Sequence, residues 1–180
     1  YLDSFGFEPA KRERIAKATF QSPVWDERDR GLYEEDVYLK QFQELDPEDA
    51  EDIEKVIRGT GGTIHKRPYA DTWVKYLKSK GYHVYILSNY SSYMLDHTKK
   101  ELTFRREMDG EVFSCYAKQL KPDAEIYQII LNKYQLKPEE CVFIDDRSEN
   151  CRGAQEQGIH TICFKDFKQV TADLEKLGVK

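Results

Sequence analysis

Beyond about Arg67 the chain changes rhythm. Apolar runs of four or five residues at His83–Leu87, Val112–Tyr116, Cys141–Ile144 and Thr161–Phe164 alternate with helix-spaced stretches. Those stretches cover Pro68–Lys80, a segment from Ser91, Pro122 to about Gln135, Ser148–Gln157 and Thr171–Leu177, with Gly81 and Gly158 closing two of them. Short apolar strands separated by helices fit a parallel sheet, because parallel neighbours need a long return connection and its helix covers a sheet face. Upstream there is little strand signal. Pro9–Phe20, Leu32–Leu45 and Pro47–Arg58 carry helical spacing, and Asp46 before Pro47 reads as an N-cap with proline opening the helix. Gly59-Thr60-Gly61-Gly62 reads as a hinge. The expectation is an α/β protein with a helical subdomain at residues 1–66 and a parallel-sheet core at 67–180.

Composition narrows the classes of function. With 28 Lys plus Arg against 33 Asp plus Glu, the net charge of −5 argues against nucleic-acid binding through bulk charge, which depends on neutralising phosphates. No apolar run approaches the roughly 20 residues needed to cross a bilayer, so no membrane role is expected. Cys115, Cys141, Cys151 and Cys163 match no paired CxxC metal spacing and read as reduced thiols. With no signal or transit segment visible, the expected compartment is the cytoplasm. The chain does not begin with Met, so Tyr1 is expected not to be the native first residue.

In open parallel sheets ligands collect beyond the carboxyl ends of the strands, and three such places carry chemistry. Ser88 and Asn89 end the run Val84-Tyr85-Ile86-Leu87, offering a hydroxyl and free N–H groups to an anion; turn and cap chemistry explains such a pair equally. Lys121 precedes Pro122, which can open a helix while the lysine stays extended and able to neutralise a phosphoryl oxygen; the alternative is a solvated lysine. Asp145 and Asp146 follow Cys141-Val142-Phe143-Ile144. Two acids ending an apolar strand are costly unless paired or metal-bound, and oxygen ligation suits Mg²⁺. A helix N-cap role accounts for one of these acids but not for both.

In this order the segments Val84-Tyr85-Ile86-Leu87-Ser88-Asn89, Lys121-Pro122-Asp123-Ala124-Glu125-Ile126-Tyr127 and Val142-Phe143-Ile144-Asp145-Asp146-Arg147-Ser148-Glu149-Asn150 resemble the second, third and fourth motifs of the haloacid dehalogenase superfamily. The resemblance is to phosphatase-like members with a helical cap and covers essentially the whole chain. It implies a Rossmann-like parallel sheet with an inserted α-helical cap, and a Mg²⁺-dependent phosphatase acting on a small phosphorylated metabolite through an aspartyl phosphate. Ser88 and Asn89 would bind the phosphoryl group, and Lys121 would hold it beside the nucleophile. Asp146 would ligate Mg²⁺ directly, Asp145 would serve as a further or outer ligand, and Asn150 would orient both carboxylates.

The superfamily's first motif, a strand ending in the nucleophilic aspartate, has no counterpart here. Asp3 follows only Tyr1 and Leu2, so that strand is expected upstream of this sequence. Two other readings stand beside the phosphatase: a catalytically silent binding domain on the same fold, and a phospho-receiver domain. Receivers order their acid pair first and their Lys-Pro last, opposite to this chain. His65, Lys66 and Arg67 read as an exposed basic linker, and Trp25 as packing within the cap.

Overall fold

The computed structural model describes residues 1–179, and its first part is all helical: α1 (Pro9–Ala18), α2 (Pro23–Arg30), α3 (Glu35–Leu45) and α4 (Ala50–Arg58). Proline opens α1 and α2, where a missing N–H costs nothing. Acidic pairs (Glu35 and Asp36; Glu51 and Asp52) sit in the first turns of α3 and α4, complementing the positive end of the helix dipole. Ile15, Phe42, Ile53, Val56 and Ile57 interdigitate at zero exposure, each contributing about 1.5–3 kcal/mol of transfer free energy.

Several local expectations are corrected. Helix α2 was not expected, because Asp26-Glu27-Arg28-Asp29-Arg30 hides its amphipathic pattern under charge. Asp46 makes no side-chain cap; a 3₁₀ turn at Pro47–Asp49 intervenes and the Asp46 carboxylate faces Arg14 instead. Buried Asp49 takes the structural part, joining α1 to the start of α4 through Lys11 at 2.9 Å and Arg14 at 2.6 Å. The glycine-rich stretch is an ordered 3₁₀ turn, Thr60–Thr63, held by the Thr60 and Thr63 hydroxyls donating to the carbonyls of Ile57 and Thr60.

The second part alternates helices and strands: α5 (Ala70–Ser79), β1 (Tyr85–Ser88), α6 (Ser92–His97), β2 (Gly110–Phe113), α7 (Ser114–Ala117), α8 (Ala124–Tyr134), β3 (Val142–Asp145), α9 (Ser148–Glu156), β4 (His160–Cys163) and α10 (Phe167–Lys176). Strand β2 lies earlier than the apolar run suggested, because Ser114–Tyr116 turn into α7. Pro122 does not open α8; the Lys121–Pro122 peptide is cis and the helix starts at Ala124. Helix α10 starts earlier than expected, where Asp166 accepts the Gln169 N–H as its cap.

All pairing is parallel, as expected, and it forms two separate ribbons. Tyr85–Ser88 of β1 register with Gly110–Phe113 of β2, and Val142–Asp145 of β3 with His160–Cys163 of β4. Helix α8 packs Ile126, Tyr127, Ile130 and Leu131 on one shared core, while Val170 and Leu174 of α10 pack with Ile162 on another. Among the described residues no helix is long and apolar enough to cross a membrane.

Candidate active site

Parallel pairing sends Ser88 and Asp145, the last residues of β1 and β3, to the carboxyl ends of their strands. Between them lies Lys121, 9% exposed, whose Nζ donates to the Leu87 carbonyl at 3.1 Å and to Asp145 Oδ2 at 2.6 Å. The same ammonium stands 5.4 Å over the Phe143 ring. A buried ion pair is retained at a desolvation cost, so its geometry must be well supported. Asn89 supplies that support: its Nδ2 donates to the Lys121 carbonyl at 2.9 Å and its Oδ1 accepts the Lys121 N–H at 2.8 Å. Its amide is thus committed to holding the lysine backbone. The Ser88 hydroxyl has only a long 3.4 Å contact to the next carbonyl, which leaves it free to turn toward a ligand.

The two aspartates part company. Asp145 accepts three hydrogen bonds: from Lys121, from Asn150 Nδ2 at 2.9 Å and from the Arg147 N–H at 2.9 Å. Asp146, one residue past the end of β3, is exposed, and no partner engages its carboxylate among the described residues. Asn150 is buried in α9, pinned through its carbonyl by the Tyr127 hydroxyl at 2.7 Å, while its Oδ1 is buried without a partner. Burial pushes the Tyr127 phenol well above its usual range, so it serves as a donor. Gly153 lets α9 approach: a Cβ there would meet the Pro122 carbonyl oxygen at 2.4 Å. This close approach seats the helix bearing Asn150 against the Lys121–Pro122 segment.

From the other side comes α2. Ser114 Oγ accepts the Tyr90 N–H at 2.8 Å and donates to the Asp29 carbonyl at 2.6 Å. Lys118 donates to the carbonyl of Gly31, which closes α2 with a φ of 72° and where a Cβ would meet Cys115 at 3.0 Å. Arg28 is fully buried, paired with Glu35 at 2.6 Å and stacked 5.2 Å from both Trp25 and Tyr93. Its Nη1 has no hydrogen-bond partner among the described residues. Trp25 also packs on Phe20 and Phe42, within the helical part as expected. Beside it, burial drives the Asp29 carboxyl up to about 7, opposed by Arg28, raised further by Asp26, and eased by the Ser91 N–H and Arg147. Sequence reading missed Arg28 and Asp29, because a run of alternating charges looks like a solvated helix face. Of the expected basic linker, Lys66 is engaged by Asp71 at 2.5 Å.

The donor set fits Mg²⁺. That ion takes one or two protein carboxylates and keeps waters and substrate oxygens, and an unengaged Asp146 beside the anchored Asp145 supplies that share. Among the described residues no three His, Cys, Asp or Glu side chains converge as a complete cage.

The profile of the haloacid dehalogenase-like hydrolases matches residues 6–158. Flavin mononucleotide hydrolase 1 of Arabidopsis thaliana is 26% identical over 156 residues, 87% of this chain and 62% of that protein. A sesquiterpene phosphatase of Aspergillus oryzae is 26% identical over 157 residues, 87% of this chain and 80% of that one. Bifunctional epoxide hydrolase 2 of Rattus norvegicus is 30% identical over 107 residues, 56% of this chain. The chain spans 19% of that enzyme's length and 62% of the Arabidopsis hydrolase, less than two thirds of either. A haloacid dehalogenase family enzyme of Bacteroides thetaiotaomicron, crystallised with magnesium and inorganic phosphate, superposes with a TM-score of 0.70 at 21% identity, covering 94% of this chain and 87% of its own; this likeness speaks to the fold.

Proposed function

The chain belongs to the haloacid dehalogenase-like hydrolases, and from that we propose that it is part of a Mg²⁺-dependent phosphatase acting on a small phosphorylated metabolite. The observation that carries this reading is the Lys121 ammonium, nearly buried and fixed by Asp145, Leu87 and the Asn89 clamp. An ammonium has three donors and two are engaged, so the third is left for a phosphoryl oxygen or an attacking carboxylate. The relatives that are a flavin mononucleotide hydrolase and a sesquiterpene phosphatase support the same class of substrate.

In this reading the helical subdomain of residues 1–66 caps the core of residues 67–180. Ser88 donates its hydroxyl to the transferring phosphoryl group while Lys121 neutralises charge on it, and such fixed electrostatics supply most of what phosphoryl transfer requires. Asn89 acts through Lys121 as a positioning residue. Asp146, with Asp145 behind it, would hold Mg²⁺, which when bound supplies charge neutralisation at the phosphoryl oxygens. Asn150 and the Arg147 N–H hold the Asp145 side chain in place beside Lys121.

The nucleophile is assigned to a further parallel strand between β1 and β3. Each of these is paired along one side alone among the described residues, and Lys121 spans from one to the other. An aspartate ending that strand would face the free Lys121 N–H. Phosphate release from a panel of small phosphomonoesters by the full-length protein tests the reading. Turnover with Mg²⁺ that stops on chelation is expected. Absence of release from every ester would overturn it in favour of a silent binding domain.

A further inference from the structure

Two thiols grip the peptide that carries the acid pair, one from each flank. Cys163, the exposed last residue of β4, stands in register opposite Asp145 and directs its thiol at the Asp146 carbonyl, 3.9 Å away. Cys151, buried in the first half of α9, donates to the Asp145 carbonyl at 3.4 Å. Both thiols therefore reach the carbonyls of consecutive residues, and Cys163 is near enough to add to burial in pushing the Cys151 thiol up. The other cysteines lie elsewhere: Cys141 bonds the Lys137 carbonyl, and Cys115 packs under Gly31.

We propose that Cys151 and Cys163 are a redox modification site, closing to a reversible disulfide under peroxide and thereby disabling the Asp145–Asp146 turn. The exposed Cys163 sulfur is the one a peroxide meets. It displaces hydroxide from the O–O bond, giving Cys163 sulfenic acid and, with the thiol proton, one water. The Cys151 sulfur then attacks that sulfenic sulfur, forming the S–S bond and expelling a second water. Two electrons pass from the two thiols to one peroxide, and a dithiol reductant returns them. In the disulfide neither sulfur carries a proton, so the carbonyls of Asp145 and Asp146 each lose a donor. The bond also ties the end of β4 to α9 across the end of β3, the strand that closes on Asp145 and leads directly into Asp146. Disulfide geometry is specific enough that the turn, not the bond, yields. The loss of turnover rests on the phosphatase reading; the disulfide itself does not.

The test treats the full-length protein with hydrogen peroxide, maps linked peptides by mass spectrometry, and follows amide hydrogen exchange over residues 145–151 and Mg²⁺-dependent phosphomonoester turnover. The expected result is a Cys151–Cys163 linkage, altered exchange in that segment, and turnover lowered by about 100-fold, the cost of a misplaced reacting group. Dithiothreitol restores all three, and Cys163→Ser abolishes the linkage while keeping reduced-state turnover under peroxide. Failure of the linked peptide to form, or a linkage that leaves exchange unchanged, overturns the proposal; so does a linkage with undiminished turnover. A reduced protein without turnover would refute the phosphatase reading, while linkage and exchange still decide the disulfide.

Discussion

A lysine held between a backbone carbonyl and a carboxylate carries more of this account than any other residue. Lys121 and Asp145 are both 8% exposed at their side chains, so neither charge can fall back on water. Removing one partner leaves the other buried and uncompensated, which costs roughly 3–5 kcal/mol. Lys121→Met should therefore lower the unfolding free energy by that amount as well as abolish turnover, and urea unfolding read alongside phosphate release checks both. Asp29 makes a pH prediction of opposite character. Its carboxyl is raised from 3.8 to about 7 by burial, so the folded protein keeps a proton that the unfolded chain has released. The stability it contributes is full below about pH 4 and is lost as pH rises to about 7. Asp29→Asn should flatten that slope and raise stability at pH 8 by an order of a few kcal/mol. Thermal melts of both proteins between pH 4 and pH 8 measure it; parallel curves would contradict it. Residue types at strand ends were legible in the sequence, because an acid or hydroxyl after an apolar run is unusual. The partners were not: nothing in Asn89 announces that its amide clamps a lysine 32 positions away.

Helix α9 shows how an element sets the site. It brings Asn150 to Asp145 and Cys151 to the Asp145 carbonyl, and it can do so because Gly153 has no side chain to strike Pro122. Gly153→Ala forces a 2.4 Å contact with backbone, which cannot rotate away as a side chain would. The expected cost is about 1–3 kcal/mol, with a weakened Asn150–Asp145 contact and a drop in turnover. An alanine variant as stable and as active as the parent would sink this view of the packing. Strongly patterned elements such as α3, β1, β3 and α9 were legible because apolar periodicity and strand-end polarity agree. Helix α2 was hidden because its burial rests on an arginine: Arg28 fills an interior place between Trp25 and Tyr93 by its stem and its flat guanidinium. Pro122 misled for a related reason, since proline opens helices and also sits in cis at turns, and sequence does not separate the two.

On the scale of the molecule, the two parallel ribbons and the helices of residues 1–66 meet around one small region. Tyr90, Ser114 and the Asp29 carbonyl form a continuous hydrogen-bond chain from the loop after β1 to α2. This link ties α2 to the loop after β1, and in the proposed function the helical unit would act as a cap that excludes water while a substrate is held. The fold class and the parallel sense of the strands followed from the alternation of short apolar runs with helices. The division of the sheet into two ribbons did not, because pairing partners depend on strands that meet in space. The central claim is that an acid turn beside a buried lysine holds a metal for phosphoryl transfer, and Asp146 isolates it, being exposed and having no other work in the fold. Mg²⁺-stimulated phosphomonoester turnover by the full-length protein should fall by about 100-fold or more in Asp146→Asn, with the melting temperature unchanged in the absence of metal; undiminished turnover in that variant would contradict the account.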